Sequence, residues 1–351
     1  MGFSESDEGH TQRLDLTQRG HSVTHMDPLS RRTALRLFGS AVAVPAALAS
    51  VPALASPAAA APRRAGQRWG GHQPGKIFLG MSSVAGIASA TSVTGAVGLQ
   101  RSFYGWDDGR REDATVAADH AANRLPWISF KPQTSRPGGW AAIASGSHDS
   151  ALRARARRYA AYQKPTLLTF HHEPTNDTTG TGAEWAAAYL RIRTVIRDEI
   201  GASKIRFVPI IGDWAFNPRN RDANAGKFLT NDVLGNCAFL GIDLYQNASM
   251  AGYAQRVGFI KDFLTSRGFP DKMIGLGETG ATEYYGKPGA TSWWSEQWRW
   301  CQNNTDTICA VSYFNSSRNS RDGVYWPLDE SPGKTSAYRA AVASAQATRL
   351  F

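Results

Sequence analysis

The chain has 351 residues, 42% hydrophobic and 11% aromatic, enough for a large core, and a formal net charge of +10. Residues 1–61 carry five basic and five acidic side chains, so the whole excess belongs to the remainder. No lysine- and arginine-rich run accompanies it, which argues against nucleic-acid binding and for a soluble chain with a basic surface.

The stretch SRRTALRLFGSAVAVPAALASVPALAS sets Arg31 and Arg32 before an alanine-rich apolar segment and ends in A-x-A sites at 47–49 and 53–55. This pattern predicts a bacterial twin-arginine signal over 1–55, cleaved so that the mature chain starts between Ser50 and Pro62 and is secreted. The segment is too weakly apolar for a membrane anchor, so no stable membrane insertion is expected after cleavage. Residues 56–75, rich in Pro, Gly, Ala and Arg, read as a flexible linker, and 76–351 as one domain.

Short β-type runs then recur at 76–83, 98–106, 124–132, 165–174, 204–213, 237–246, 271–280 and 307–317. Between them, 151–163, 182–201, 250–268 and 290–304 space their apolar residues by three and four, as helices do. Gly201 and Gly268 stand where helix stops belong. Eight strands alternating with helices predict parallel strands with crossover helices, closed into a single (β/α)8 TIM barrel. An open doubly wound sheet is the alternative, but no GxGxxG or Walker loop follows the first strand. Trp293, Trp294, Trp298 and Trp300 share one predicted helix, and their spacing assigns at least two of them to the core.

Three cysteines allow at most one bridge within the chain. Cys301 and Cys309, close in sequence in an exported protein, are the candidate pair, and Cys237 reads as a small buried apolar residue. Their spacing lacks a CxxC element, so no structural zinc site is expected.

In such a barrel the chemistry lies at the C-terminal ends of the strands. The fourth run ends in HHEP, placing His171, His172 and Glu173 there; the seventh ends in GETG, placing Glu278. Two carboxylates facing one another across a cleft suit glycosidic bond cleavage, one protonating the leaving oxygen and the other attacking the anomeric carbon or directing a water. Asp213 and Trp214 end the fifth run and Trp106 follows the second; all three are candidates to line a sugar cleft. Asn176, in the loop after Glu173, either binds substrate or makes a turn. Tyr313 on the last strand and Trp326 in the loop beyond it are further candidates, Trp326 as a sugar platform.

A glutamate after strand four and a second after strand seven resembles the clan A glycoside hydrolases. His172 immediately before the first glutamate resembles glycoside hydrolase family 26, in which β-1,4-mannanases dominate. The resemblance implies Glu173 as acid/base, Glu278 as nucleophile, His172 as an orienting or substrate-binding residue, and Tyr245 as the tyrosine that hydrogen-bonds the nucleophile. It implies retaining hydrolysis of a β-linked polysaccharide through a glycosyl-enzyme intermediate; a monomer with no cofactor and no metal is the accompanying expectation. The chain departs from the pattern in two places. Its last strand offers Tyr313, Phe314 and Asn315 instead of a tryptophan platform, and PTNDTTGTG follows the acid/base where mannanases carry aromatic residues.

Two rival functions fit some of the same residues. A metal-dependent hydrolase would use the His171, His172 and Glu173 cluster, although HExxH spacing is absent and adjacent side chains rarely converge on one ion. A non-catalytic carbohydrate-binding barrel would keep the cleft without the reaction. A serine hydrolase fits poorly, because no GxSxG elbow occurs.

Overall fold

The structure, a computed structural model, describes residues 71–351 apart from 84, 133–138, 177–179, 202–203, 249–250, 319 and 321–322. The expected signal and most of the expected linker lie outside the described residues. Among the described residues nine strands form one sheet: β1 (Phe78–Ser83), β2 (Leu99–Tyr104), β3 (Leu125–Phe130), β4 (Thr166–Phe170), β5 (Ile205–Phe207), β6 (Ile210–Gly212), β7 (Leu240–Asp243), β8 (Ile274–Thr279) and β9 (Ile308–Asn315). Their order is β5-β4-β3-β2-β1-β9-β8-β7-β6, and every pairing is parallel. Helices make the crossovers and cover the outer face while the inner face closes on the barrel interior, so the strands read as near-continuous apolar runs such as TLLTF and LPWISF.

The fifth predicted strand is interrupted. Proline has no N–H to give a ladder, and the run breaks at Val208 and Pro209 into β5 and β6. The backbone there is still satisfied. Val208 N donates to Leu168 O (2.9 Å), Thr169 Oγ1 donates to Val208 O (2.8 Å), and Gly241 N donates to Pro209 O (2.8 Å). Trp127 Nε1 donates in turn to Thr169 Oγ1 (2.9 Å). β5 and β6 stand at opposite ends of the sheet order with only two residues between them, so the sheet curls round on itself. The architecture is a curled parallel sheet of nine strand segments with helical crossovers, a barrel of the β/α type.

Strand alternation divides the core in two. Phe78, Leu99, Trp127, Leu167, Ile210 and Phe239 belong to a cluster with no helical member, which is therefore the barrel interior. Their chain neighbours Leu79, Ile128, Leu168 and Ile211 pack against helices such as α5 (Gly182–Ile200), through Trp185 and Tyr189. Two residues up the strands, the interior changes character: Leu99 gives way to Arg101, Trp127 to Ser129, and Gly241 to Asp243. A polar storey stands on an apolar floor.

The four predicted helices are present as α4 (Asp149–Tyr159), α5, α8 (Tyr253–Ser266) and α9 (Ala290–Asn303). α5 opens on a capping box: Thr181 Oγ1 accepts from Glu184 N and Glu184 Oε2 accepts from Thr181 N. It closes at Gly201, whose φ of 61° favours glycine. On α9, Trp294 and Trp298 are buried, while Trp293 and Trp300 pack partly buried beside them. The chain also forms α1 (Ile87–Thr94), α2 (Gly109–Ala121), α3 (Gly139–Ala144), α6 (Ala225–Phe228), α7 (Asn231–Gly235) and α10 (Pro332–Val342), which apolar spacing did not predict.

The cysteine pairing is corrected. Cys301 sits on α9 in the helix layer, 3.4 Å from Tyr253 Oη, whereas Cys309 points from β9 into the barrel interior and contacts Ile274 O at 3.5 Å. The sheet stands between them, and all three cysteines are free thiols. Among the described residues no helix is long and apolar enough to cross a membrane.

Candidate active site

Glu278 lies on β8 and is 6% exposed. Tyr245 Oη donates to its Oε2 at 2.7 Å, while Arg101 Nη2 and His172 Nε2 stand 3.9 and 4.0 Å from its Oε1. Two glycines make this crowding possible. A Cβ on Gly277 would lie 2.7 Å from Asp243 Oδ1, and one on Gly280 would meet Trp326 at 3.0 Å and the Tyr245 ring at 3.1 Å. The glycines of GETG thus make room for side chains that surround Glu278.

Beyond β4 the backbone turns sharply. His171 and Glu173 have φ of 43° and 51°, left-handed values that are uncommon outside glycine and gather at functional sites. Two hydrogen bonds hold the turn, His171 N to Phe130 O (2.9 Å) and Glu173 N to Ile210 O (3.0 Å). The turn sends the two histidines apart. His171 is buried and accepts at Nδ1 from Trp140 Nε1 (2.9 Å). His172 Nδ1 lies 3.0 Å from Ser129 Oγ, its ring centroid is 5.2 Å from that of Phe103, and its Nε2 faces Glu278. Burial, then the charge of Arg101, holds the His172 pKa well below the usual imidazole range, so the ring is neutral. Among the described residues no three His, Cys, Asp or Glu side chains are grouped to hold a metal ion.

Glu173 is the group whose environment matters most. Burial raises its pKa to about 7, the negative charge of Glu278 adds to the rise, and Lys131, Asn176 and Arg101 oppose it. Its Oε1 would be 3.6 Å from a Cβ on Gly212, at a spot where Trp214 Nε1 is only 2.7 Å away. Trp214, on the 3-10 turn Asp213–Phe216, therefore converges with Glu173 over Gly212.

The other sequence candidates divide. Asp213 binds Arg256 through both oxygens (2.6 and 2.7 Å), and Arg256 Nη1 donates to Tyr245 O (2.7 Å), so Asp213 braces the residue that holds Glu278. Asn176 N donates to Glu173 O at 3.0 Å, closing the turn. Trp106 is half-buried against Phe130 and His148, and its carbonyl accepts from Arg155 at 2.6 Å. Tyr313 is wholly buried on the helix side of β9, where its hydroxyl donates to Trp326 O (2.9 Å). Trp326 is 9% exposed, with its ring centroid 4.8 Å from that of Tyr245.

Two residues were missed. Arg101 on β2 is 1% exposed and lies over Phe103 (4.5 Å) and Trp127 (5.7 Å). Asp243 on β7 is 3% exposed and pairs in register with Glu278; burial, then the charges of Glu278 and Glu173, pushes its pKa well above the carboxylate range. Strand alternation carried the signal, since each stands two residues beyond an interior position. The site therefore contains one carboxyl held by a tyrosine beside a buried cation, and one that stays protonated up to about neutral pH. Such a pair can supply a nucleophile and a proton together.

No protein-family model matches the chain, and no curated protein sequence matches it significantly. Solved structures do. GH26C from Muricauda sp. MAR_2010_75 superposes with a TM-score of 0.53 at 13% identity, over 78% of this chain and 87% of that one. A fungal β-1,4-galactanase gives 0.57 at 11% identity, over 75% and 99% of the two chains. A triple mutant of an endo-β-1,4-glucanase from Xanthomonas axonopodis pv. citri gives 0.56 at 12% identity, over 76% and 100%. The resemblance read in the sequence thus extends to three dimensions: this chain has the barrel fold of these glycoside hydrolases.

Proposed function

We propose that the protein is a secreted retaining glycoside hydrolase that cleaves a β-linked polysaccharide, acting as an endo-β-1,4-mannanase of the family 26 kind. The observation that carries this reading is the unequal carboxyl pair: Glu278 held by Tyr245 and faced by Arg101, and Glu173 with a pKa of about 7. β5 and β6 count as halves of one strand, giving an eight-stranded barrel with Glu173 after its fourth strand and Glu278 on its seventh.

In the first step Glu278 attacks the anomeric carbon while Glu173 gives its proton to the departing glycosidic oxygen, leaving a glycosyl ester on Glu278 and a carboxylate on Glu173. In the second, Glu173 takes a proton from water, the water oxygen attacks the same carbon, and Glu278 leaves as a carboxylate. A retaining reaction requires the two carboxyls to work about 5–5.5 Å apart. Tyr245 aims the nucleophile through its hydrogen bond, Arg101 faces the same carboxyl, and neutral His172 orients it or contacts the sugar. The mannan assignment draws on His172 beside Glu173, the pair that resembles family 26. The galactanase and glucanase likenesses make galactan and β-glucan the comparison substrates.

The test is a screen of the purified protein on mannan, galactomannan, β-glucans, galactan and xylan, with product sizing and NMR of the first anomer formed. Glu278→Ala is expected to lower kcat at least ~10³-fold, and added azide to restore turnover by taking the place of the lost carboxylate. Hydrolysis that survives Glu278→Ala, or first products of inverted configuration, would overturn the proposal.

A further inference from the structure

Two of the four large hydrophobic side chains exposed on the described surface are tyrosines of one rim: Tyr284, 55% exposed, and Tyr325, 37% exposed. Their backbone N–H groups share a single acceptor, Thr282 Oγ1, at 3.2 and 3.3 Å. Thr282 is buried and donates to Glu330 Oε1 (2.8 Å). Glu330 also accepts from Glu283 N (3.2 Å) and, through Oε2, from Lys334 Nζ (2.8 Å), and Lys334 is wholly buried. A buried ion pair returns little net stability for its desolvation, and its best-attested use is fixing geometry. Here it fixes two loops to one another, the one that follows Glu278 on β8 and the one that follows β9.

The rings are presented rather than packed away. A Cβ on Gly323 would come within 2.8 Å of the Tyr284 ring, so backbone abuts that ring while more than half the side chain stays open. Beside Tyr325, the Trp326 ring lies against Tyr245, and Tyr245 holds Glu278. The rim therefore begins two side chains away from the candidate nucleophile. Exposed rings add little to the stability of a fold. A flat apolar face with a polar edge does match a pyranose, whose C–H face lies against the ring while its hydroxyls reach the edge. Rings fixed in advance incur less ordering cost when a ligand arrives.

We propose that Tyr284 and Tyr325 form a stacking platform for sugar units of a β-glycan lying beyond the cleavage point, so that affinity rises with chain length. This inference rests on the glycanase reading. Its test compares Tyr284→Ala, Tyr325→Ala and the double variant with their Phe counterparts, on mannohexaose and cellohexaose and on nitrophenyl glycosides of mannobiose and cellobiose. The double Ala variant is expected to raise KM for the hydrolysed hexaose about 10-fold. It should leave kcat/KM on the short aryl substrate within about twofold, and the Phe variants should keep the wild-type KM because stacking needs the ring and not the hydroxyl. An unchanged hexaose KM, or an equal loss on long and short substrates, would overturn the platform alone. A wild-type protein inert on both series and on all the polysaccharides would overturn the glycanase reading and the platform with it.

Discussion

Glu173 can act as an acid only while it holds its proton, and its surroundings decide how long that is. With its pKa raised to about 7, chiefly by burial, it is protonated below neutral pH and loses its proton as the pH rises through 7. kcat/KM on an unactivated glycan is therefore expected to fall on the alkaline side with an apparent pKa near 7. For Glu173→Ala that limb should vanish on an aryl glycoside whose leaving group needs no proton, as a pH–rate profile of the two proteins would reveal. Tyr245→Phe removes the 2.7 Å hydrogen bond to Glu278. Steady-state kinetics should then show kcat/KM lower by about 10- to 100-fold, the range that corresponds to ~1.5–3 kcal/mol for a hydrogen bond to a charged group. Glu173 and Glu278 stood out in the sequence because polar residues ending apolar strands have few reasons to be there, and Tyr245 stood out only through the resemblance to the clan A glycoside hydrolases. Arg101 and Asp243 were not, because each lies inside a strand where a polar residue reads as noise until the alternation of faces is known. Trp326 and Tyr313 drew attention as aromatic residues near the mouth, and only three-dimensional packing shows that one is covered by Tyr245 and that the other faces the helices.

Among the elements, the end of β4 explains why HHEP reads ambiguously. Strict alternation would send His171 and Glu173 to the same face and His172 to the other. The left-handed backbone at His171 and Glu173 breaks that alternation, burying His171 behind the strand against Trp140 and turning His172 toward Glu278. No one-residue periodicity contains that turn. The β5–β6 break was legible only as Pro209, which marks where a ladder fails without saying whether the strand resumes. α2 was missed because its sequence is largely charged, and its buried face includes Glu112 and Asp119. α10 was signalled by Ser331 and Pro332, a cap followed by proline at the helix start, which apolar spacing overlooks. The placement of Cys301 and Cys309 on opposite sides of the sheet makes a direct prediction. Denatured protein should yield three thiols to a disulfide-exchange reagent, native protein essentially none, and reductant should leave the melting temperature unchanged. Fewer than three thiols would reveal a bridge.

At the scale of the molecule, the barrel could be read from the recurrence of strands and helices, because βαβ chirality and eightfold repetition leave few alternatives. The substrate could not be read, since cleft shape depends on loops whose sequences carry no periodicity. The proposed export signal makes its own prediction. In a bacterial host with twin-arginine export the secreted form should begin between Ser50 and Pro62 by mass spectrometry, and Arg31→Lys with Arg32→Lys should retain the full-length precursor inside the cell. The bond from Glu173 N to Ile210 O has a last consequence. It crosses the place where β5 gives way to β6, so the proposed proton donor also helps rivet the rim of the barrel. The rivet is main chain and the proton is side chain. Under the proposed function, chemically silenced versions at this position should thus keep their shape and serve as traps for catching an intact glycan in place.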